Sequence, residues 1–150
     1  MITRMKQADI LKAVRNKLKA LYPNYPVYLD DVLENFETPC FSLSLVCVTS
    51  PVSKTTYKND CTLYITFLAE KGKVDALTLY DVKDKITASF WCGLQVQDRY
   101  FKFTSVSSET SGKDADIIYF NLPFLYLDGV DATAPKYTIE NIETKYKVHK

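Results

Sequence analysis

The chain has 150 residues, 47% hydrophobic and 25% charged, the balance of one ordinary globular domain rather than a disordered, collagen-like or coiled-coil chain. Its 19 Lys and Arg nearly cancel 18 Asp and Glu, which argues against a dedicated nucleic-acid binder, normally marked by a basic excess. Only 4 Gly stand against 11 Tyr and 8 Phe, so there is little material for phosphate-cradling loops and much for sheet and contact surface.

The N-terminus, Met1-Ile2-Thr3-Arg4-Met5-Lys6-Gln7, carries no apolar signal region. Thr3 to Tyr22 then reads as an amphipathic helix. Leu11, Val14, Leu18 and Leu21 follow 3-4-3 spacing, with Ile10 beside them. Thr3 is the expected N-cap and Pro23 the stop signal. Arg4, Lys6, Lys12, Arg15, Lys17 and Lys19 make this helix basic, opposed only by Asp9. Their long stems suit a solvated face or a protein contact better than a phosphate backbone.

Tyr25 to Leu29 is expected as a short edge strand, because Pro26 cannot donate to a central ladder. An acidic stretch follows, Asp30, Asp31, Glu34 and Glu37. From Cys40 to Thr49, Phe41, Leu43, Leu45 and Cys47 alternate with Ser42, Ser44, Val46 and Val48, a strand pattern. Ser50 to Lys54 is a loop signal. Tyr57 to Ala69 alternates again, with Cys61, Leu63, Ile65 and Phe67 on one side. The two runs predict a long antiparallel hairpin with a polar connection of roughly ten residues, longer than most hairpin loops.

Val74 to Trp91 reads as a second helix on Leu79, Val82, Ile86 and Phe90. Leu77, Tyr80, Ala88 and Trp91 lie on its other side, so this helix is expected to touch two things. Leu94 to Ser107 reads as a strand, with Phe101 and Phe103 alternating against Lys102 and Thr104. Ser107 to Lys113 reads as a polar turn, and Asp116 to Tyr126 as a long strand with an edge or bend at Pro123. A charged tail runs from about residue 136, within what reads as a single domain over residues 1–150. The expected class is α+β: a largely antiparallel mixed sheet with two helices packed on one face.

Chemistry is scarce. Cys40, Cys47, Cys61 and Cys92 form no C-x-x-C pair, and His149 is the only histidine, so neither a zinc site nor a histidine-based triad is expected. The cysteines read as buried free thiols without disulfides, as in a cytoplasmic protein. Ser111-Gly112-Lys113 lacks the upstream glycine of a phosphate loop. The element order also suits metal-dependent nucleases, which need carboxylates and a Lys on central strands. Here Asp81-Val82-Lys83 falls on a helix and Glu143-Thr144-Lys145 in the tail. Asp114 and Asp116 flank a strand without a Lys on the same face. No catalytic residue, metal ligand or cofactor is expected, and no segment is long and unbroken enough for a membrane helix.

Several stretches together resemble the tail terminator, or tail completion, proteins of Gram-positive contractile-tailed phages and phage-like elements. The resemblance rests on Ile10-Leu11-Lys12-Ala13-Val14-Arg15-Asn16-Lys17-Leu18-Lys19 followed by Leu21-Tyr22-Pro23-Asn24-Tyr25-Pro26-Val27-Tyr28. It continues through Glu37-Thr38-Pro39-Cys40-Phe41-Ser42-Leu43, Leu63-Tyr64-Ile65-Thr66-Phe67 and Ile117-Ile118-Tyr119-Phe120. Such a resemblance implies a non-enzymatic virion protein, made in the bacterial host cytoplasm and ending in the virion tail. It would form a ring, six subunits being usual, that caps the tail tube, stops its growth and offers a docking face to the head connector. The implied partners are other copies of the chain, the tail tube protein and the head–tail connector protein, with no membrane and no specific nucleic acid. Within that reading, Arg15 and Lys19 are expected to meet Asp30, Asp31 or Glu34 of a neighbouring subunit. Ser50, Lys54 and Tyr80 are expected to touch tube or neck. Another head–tail connector or neck protein, or a metal-dependent nuclease, would share the layout.

Overall fold

The computed structural model describes residues 5–29, 37–70, 72, 75–112 and 116–129. The first helix, α1 (Gln7–Leu21), buries Ile10, Val14 and Leu18 on one stripe, while Leu11 and Leu21 pack at its edge. It starts later than its periodicity predicts. Lys6 stands at the N-cap without a side-chain hydrogen bond, and the expected cap, Thr3, lies outside the described residues. Strand β1 (Val27–Leu29) follows Pro23 and Pro26 and pairs parallel with β2 (Cys40–Pro51). The backbone N–H of Phe41 donates to the Pro26 carbonyl at 2.9 Å, extending the pairing by one contact.

Strand β2 pairs antiparallel along its whole length with β3 (Thr56–Leu68). The connection is therefore the four residues Val52–Thr55, not the expected ten. Ser50 and Pro51 belong to β2, opposite Lys58 and Tyr57. The turn closes itself: the N–H groups of Val52 and Ser53 donate to the Thr56 carbonyl, and the Ser53 hydroxyl accepts from the N–H groups of Thr55 and Thr56. With those groups satisfied locally, the ladder runs to the tip although its last rungs are polar.

The second helix, α2 (Ala76–Phe90), begins where Asp75 caps it, its carboxylate accepting from the Leu77 N–H at 3.3 Å and the Thr78 hydroxyl at 3.2 Å. It buries Leu79, Val82, Ile86 and Phe90, as the spacing predicts. The expected single strand after Gly93 is instead a small hairpin, β4 (Leu94–Val96) and β5 (Arg99–Phe101), turned at Gln97 and Asp98. Gln97 takes a positive φ of 53°, and its carbonyl accepts from its neighbour Gln95. Phe103 then bridges to Phe124, and the expected polar turn is mostly strand β6 (Ser107–Ser111). The polar Ser-Ser-Glu-Thr-Ser run reads as loop because an edge strand with exposed side chains needs no apolar face; backbone pairing to β7 (Ile117–Gly129) holds it.

The main sheet has the order β1-β2-β3-β7-β6, antiparallel except for β1. Register aligns the apolar alternation of three strands into rows on one face. Phe41, Phe67 and Ile118 form one row, Leu43, Ile65 and Phe120 the next, then Leu45, Leu63 and Leu122. Both helices bury their stripes in the core built on this face. Pro123 is tolerated within β7 because it lies beyond the end of β6, where only β3 pairs with it in register; its carbonyl accepts from the Thr104 N–H at 2.7 Å.

One row overturns an expectation. Cys47 and Cys61 face each other directly in the β2–β3 register, with Cα atoms 4.1 Å apart, and form a disulfide. Alternation places both side chains on the same face of neighbouring strands. Spacing along the chain cannot reveal that without the register. Cys40 is a buried free thiol and Cys92 an exposed one.

Candidate assembly surfaces

The inner face of the sheet changes character towards the hairpin tip. Beyond the disulfide row it carries Thr49, Asn59 and Tyr126, then Pro51, Tyr57 and Asp128. Asn59 and Asp128 are the buried polar residues among those described. The Thr49 hydroxyl donates to Asn59 Oδ1 at 2.6 Å. Asp128 accepts from the Met5 N–H and from Arg99 Nη1, each at 2.9 Å, and Arg99 also donates to the Leu127 carbonyl at 2.8 Å. This charge-assisted set ties the β4–β5 hairpin and the chain entering α1 to the end of β7. Between these groups and the start of α1 lies an open groove of about 630 Å³ lined by Met5, Lys6, Gln7, Tyr57 and Tyr126 among others.

The basic helix divides its charges between two uses. Lys17 turns inward: its Nζ lies 4.8 Å from the Phe90 ring centroid and 3.5 Å from the Gly93 carbonyl, joining α1 to the end of α2. Arg15 is half-buried and Lys19 exposed, and neither forms an ion pair with the described residues. Asp30, Asp31 and Glu34, their expected counterparts, lie outside the described residues. Glu37, the last acid of that run, is exposed, and its N–H donates to the Tyr28 hydroxyl. At the C-terminal end of α1, Tyr22 stacks on Tyr25 at 5.1 Å, under Lys85 of α2. Burial, with Tyr25 and Asp81 nearby, pushes the Tyr22 phenol up to about 12.

Ser50 and Lys54 sit together at the hairpin tip, Ser50 half-buried in β2 and Lys54 exposed in the turn. Tyr80 is far from them. The start of α2 packs at the other end of β3, where Asp75, Thr78 and Leu79 share a small cavity with Tyr25, Phe67 and Ala69. Thirteen extended residues separate the two ends of β3, roughly 40 Å. Tyr80 is 61% exposed, with Lys83 Nζ 4.8 Å from its ring centroid.

Two surfaces escaped the sequence reading, or were read only in part. No described element covers the outer face of the sheet, and it carries apolar groups where an exposed antiparallel sheet normally carries polar ones. Val46, Val48, Leu125 and Leu127 are each about half exposed or more. The signal was present as Val46 and Val48 on the polar side of β2 and as leucines on both sides of β7. The second surface is the outer stripe of α2, Leu77, Tyr80, Ala88 and Trp91, which the sequence shows and the structure leaves in solvent.

Catalytic arrangements are not assembled by the described residues. No three His, Cys, Asp or Glu side chains among them come together as a metal site. Asp81 and Lys83 flank buried Val82 on α2; Asp114, Glu143, Lys145 and His149 lie outside the described residues. No described helix is long and apolar enough to cross a membrane.

A family model described as phage tail terminator protein matches residues 9–135. Among solved structures, a chain of the virion of a native gene transfer agent (GTA) particle is similar in fold, with a TM-score of 0.52. It is 14% identical, and the match covers 79% of this chain and 93% of that one. Another solved chain is 16% identical over 85% of this chain and 98% of its own, at a TM-score of 0.47. No curated protein sequence matches the chain.

Proposed function

The chain belongs to the phage tail terminator protein family, and from that premise we propose that it forms a ring on the end of the tail tube, stops tube growth and presents the docking face for the head connector. The observation that carries this reading is the family match over residues 9–135, which spans both helices and the main sheet. The family is structural, and the chemistry of the described surfaces agrees with assembly: free basic side chains, two exposed apolar faces and a projecting hairpin.

The mechanism is surface matching. One face of the ring complements the last ring of tube subunits, and the opposite face offers nothing a further tube subunit can join. Unlike patches on one subunit suit a heterologous contact, the type that closes into a ring. Arg15 and Lys19 would meet Asp30, Asp31 or Glu34 of the next copy, and a hexamer is the copy number this reading expects. Ser50 and Lys54 at the hairpin tip would bear on tube or neck; Tyr80, expected to join them, lies at the opposite end of β3 and is proposed instead as a contact between copies. The partners are then the tail tube protein and the head–tail connector protein, and the protein resides in the virion tail after assembly in the host cytoplasm.

Electron microscopy of particles from a deletion of the gene tests the reading. A terminator leaves tails of abnormal, unregulated length without heads. Tails of normal length that merely fail to join heads would overturn it in favour of a connector or neck protein.

A further inference from the structure

The two exposed apolar faces lie on opposite sides of the molecule. On α2 the buried stripe is Leu79, Val82, Ile86 and Phe90. At about 100° per residue, the stripe Leu77, Tyr80, Asp84, Ala88, Trp91 lies roughly 150° around the helix from it. Its spacing is 3-4-4-3, the seam by which one helix packs on another element. Leu77 is 74% exposed and Trp91 67%. Since α2 covers the inner face of the sheet, this stripe points away from the sheet altogether.

On the other side, register builds an apolar patch across three strands. Val46 aligns with Thr62 and Pro123, Val48 with Asp60 and Leu125, and Ser50 with Lys58 and Leu127. No described element covers it. A helix laid on a sheet is the packing this fold already uses internally, so each face has the shape the other accepts. Charges match as well. The sheet patch holds Lys58 and Asp60 in adjacent rows, and the helix stripe holds Asp84 at its centre with Lys83 beside it. Asp84 can meet Lys58 of the next copy, with the aromatic and leucine groups closing around the pair.

We propose that the α2 stripe of one copy packs on the open β2–β3–β7 face of the next copy, front to back, as the contact that propagates the ring. The occupant is a second copy because one repeated contact covers both apolar faces. A two-fold contact, stripe on stripe or sheet on sheet, would leave one face of every copy in water. Trp91 and Tyr80 are the anchors, the residue types that dominate interface energetics. This contact rests on the ring reading above.

The test uses two charge-bearing variants of the full chain, one with Tyr80→Glu and Trp91→Glu, the other with Leu125→Glu and Leu127→Glu, so that the two disabled faces repel each other. All four positions are exposed, so circular dichroism spectra and melting curves should match the wild type. Tyr80→Ser and Leu127→Ser serve if a double variant misfolds. Analytical ultracentrifugation, free and with purified tail tubes, reads assembly. Each variant alone should associate about 30-fold or more weakly than wild type, the loss of one hot-spot residue. An equimolar mixture should form a one-to-one dimer and nothing larger, because each variant keeps one intact face. Wild-type-like assembly by either variant, or a mixture that stays monomeric, would overturn the contact. So would a Leu125/Leu127 variant that assembles normally but no longer binds tubes, which would assign the sheet face to the tube protein. If wild type itself never assembles, free or on tubes, the ring reading falls and takes this contact with it; if wild type assembles and both variants keep pace, only this contact falls.

Discussion

At the scale of single residues, the cysteines show how position outweighs type. Cys47 and Cys61 are linked, Cys40 is buried and Cys92 is exposed beside the C-terminus of α2. A thiol-specific chromogenic reagent should therefore modify one thiol quickly in the folded protein. A second should react on unfolding without reductant, and two more only after reduction. Two fast thiols in the folded state would contradict the burial of Cys40. Burial also pushes the Cys40 thiol up from 9.0 to about 11, and the Tyr22 phenol rises from 10.0 to about 12. Both groups are acids kept neutral by the fold. Their contribution to stability is fully present below the unfolded values and is lost as pH rises through the folded ones. Melting temperature should accordingly fall between about pH 9 and pH 12, and Cys40→Ala should flatten the lower part of that fall. An unchanged slope in the variant would remove Cys40 as its cause.

At the scale of elements, the junction after α2 is the most constrained point. Gly93 has φ +118°, a region side chains other than glycine rarely adopt, and a Cβ there would run into the Phe101 carbonyl oxygen. Gly93→Ala should destabilise the protein by about 1–3 kcal/mol in denaturant unfolding; a change within error would show that the β4–β5 hairpin shifts freely. Strong periodicity made α1, α2, β2, β3 and β7 readable from sequence. Their apolar stripes are long enough to reveal a period, and burial of those stripes holds them in place. The β4–β5 hairpin and β6 were not readable in this way. Three-residue strands show no period, and Ser107–Ser111 is held by backbone bonds to β7 that side chains do not announce. The tip of the β2–β3 hairpin was misjudged for the same reason, since Ser50 and Pro51, read as loop, pair through backbone with Lys58 and Tyr57.

At the scale of the whole molecule, the described residues form a two-layer fold, helices on one face of a sheet. Two helices close the inner face of the sheet, and the outer face, which no described element covers, carries an exposed apolar patch. Exposed apolar groups gathered on one face are a mark of interaction sites. On the helix side of the sheet, α1 presents Arg15 and Lys19 without described partners. Reversing both charges, Arg15→Glu with Lys19→Glu, should weaken ring association about tenfold and reduce its sensitivity to salt, since exposed ion pairs are individually weak and screened. Sedimentation across a salt series measures both effects; association as tight and as salt-sensitive as wild type would exclude these side chains from the contact.

The near-neutral charge, the scarcity of glycine and histidine and the long periodic runs were enough to reach an α+β domain without a recognisable catalytic motif, and the resemblance carried by stretches such as Ile10–Lys19 and Glu37–Leu43 added the phage tail reading. Those features are local, and a stripe of apolar residues every two or every 3.6 positions states its own burial. Register is not local. Which cysteines face each other, which serines pair as an edge strand, and which valines and leucines gather on the outer face all depend on alignments between strands distant in sequence. Each such alignment is chosen by the packing of the whole core. The same packing left one sheet face and one helix stripe uncovered, and these are the surfaces through which we propose the chain meets its next copy.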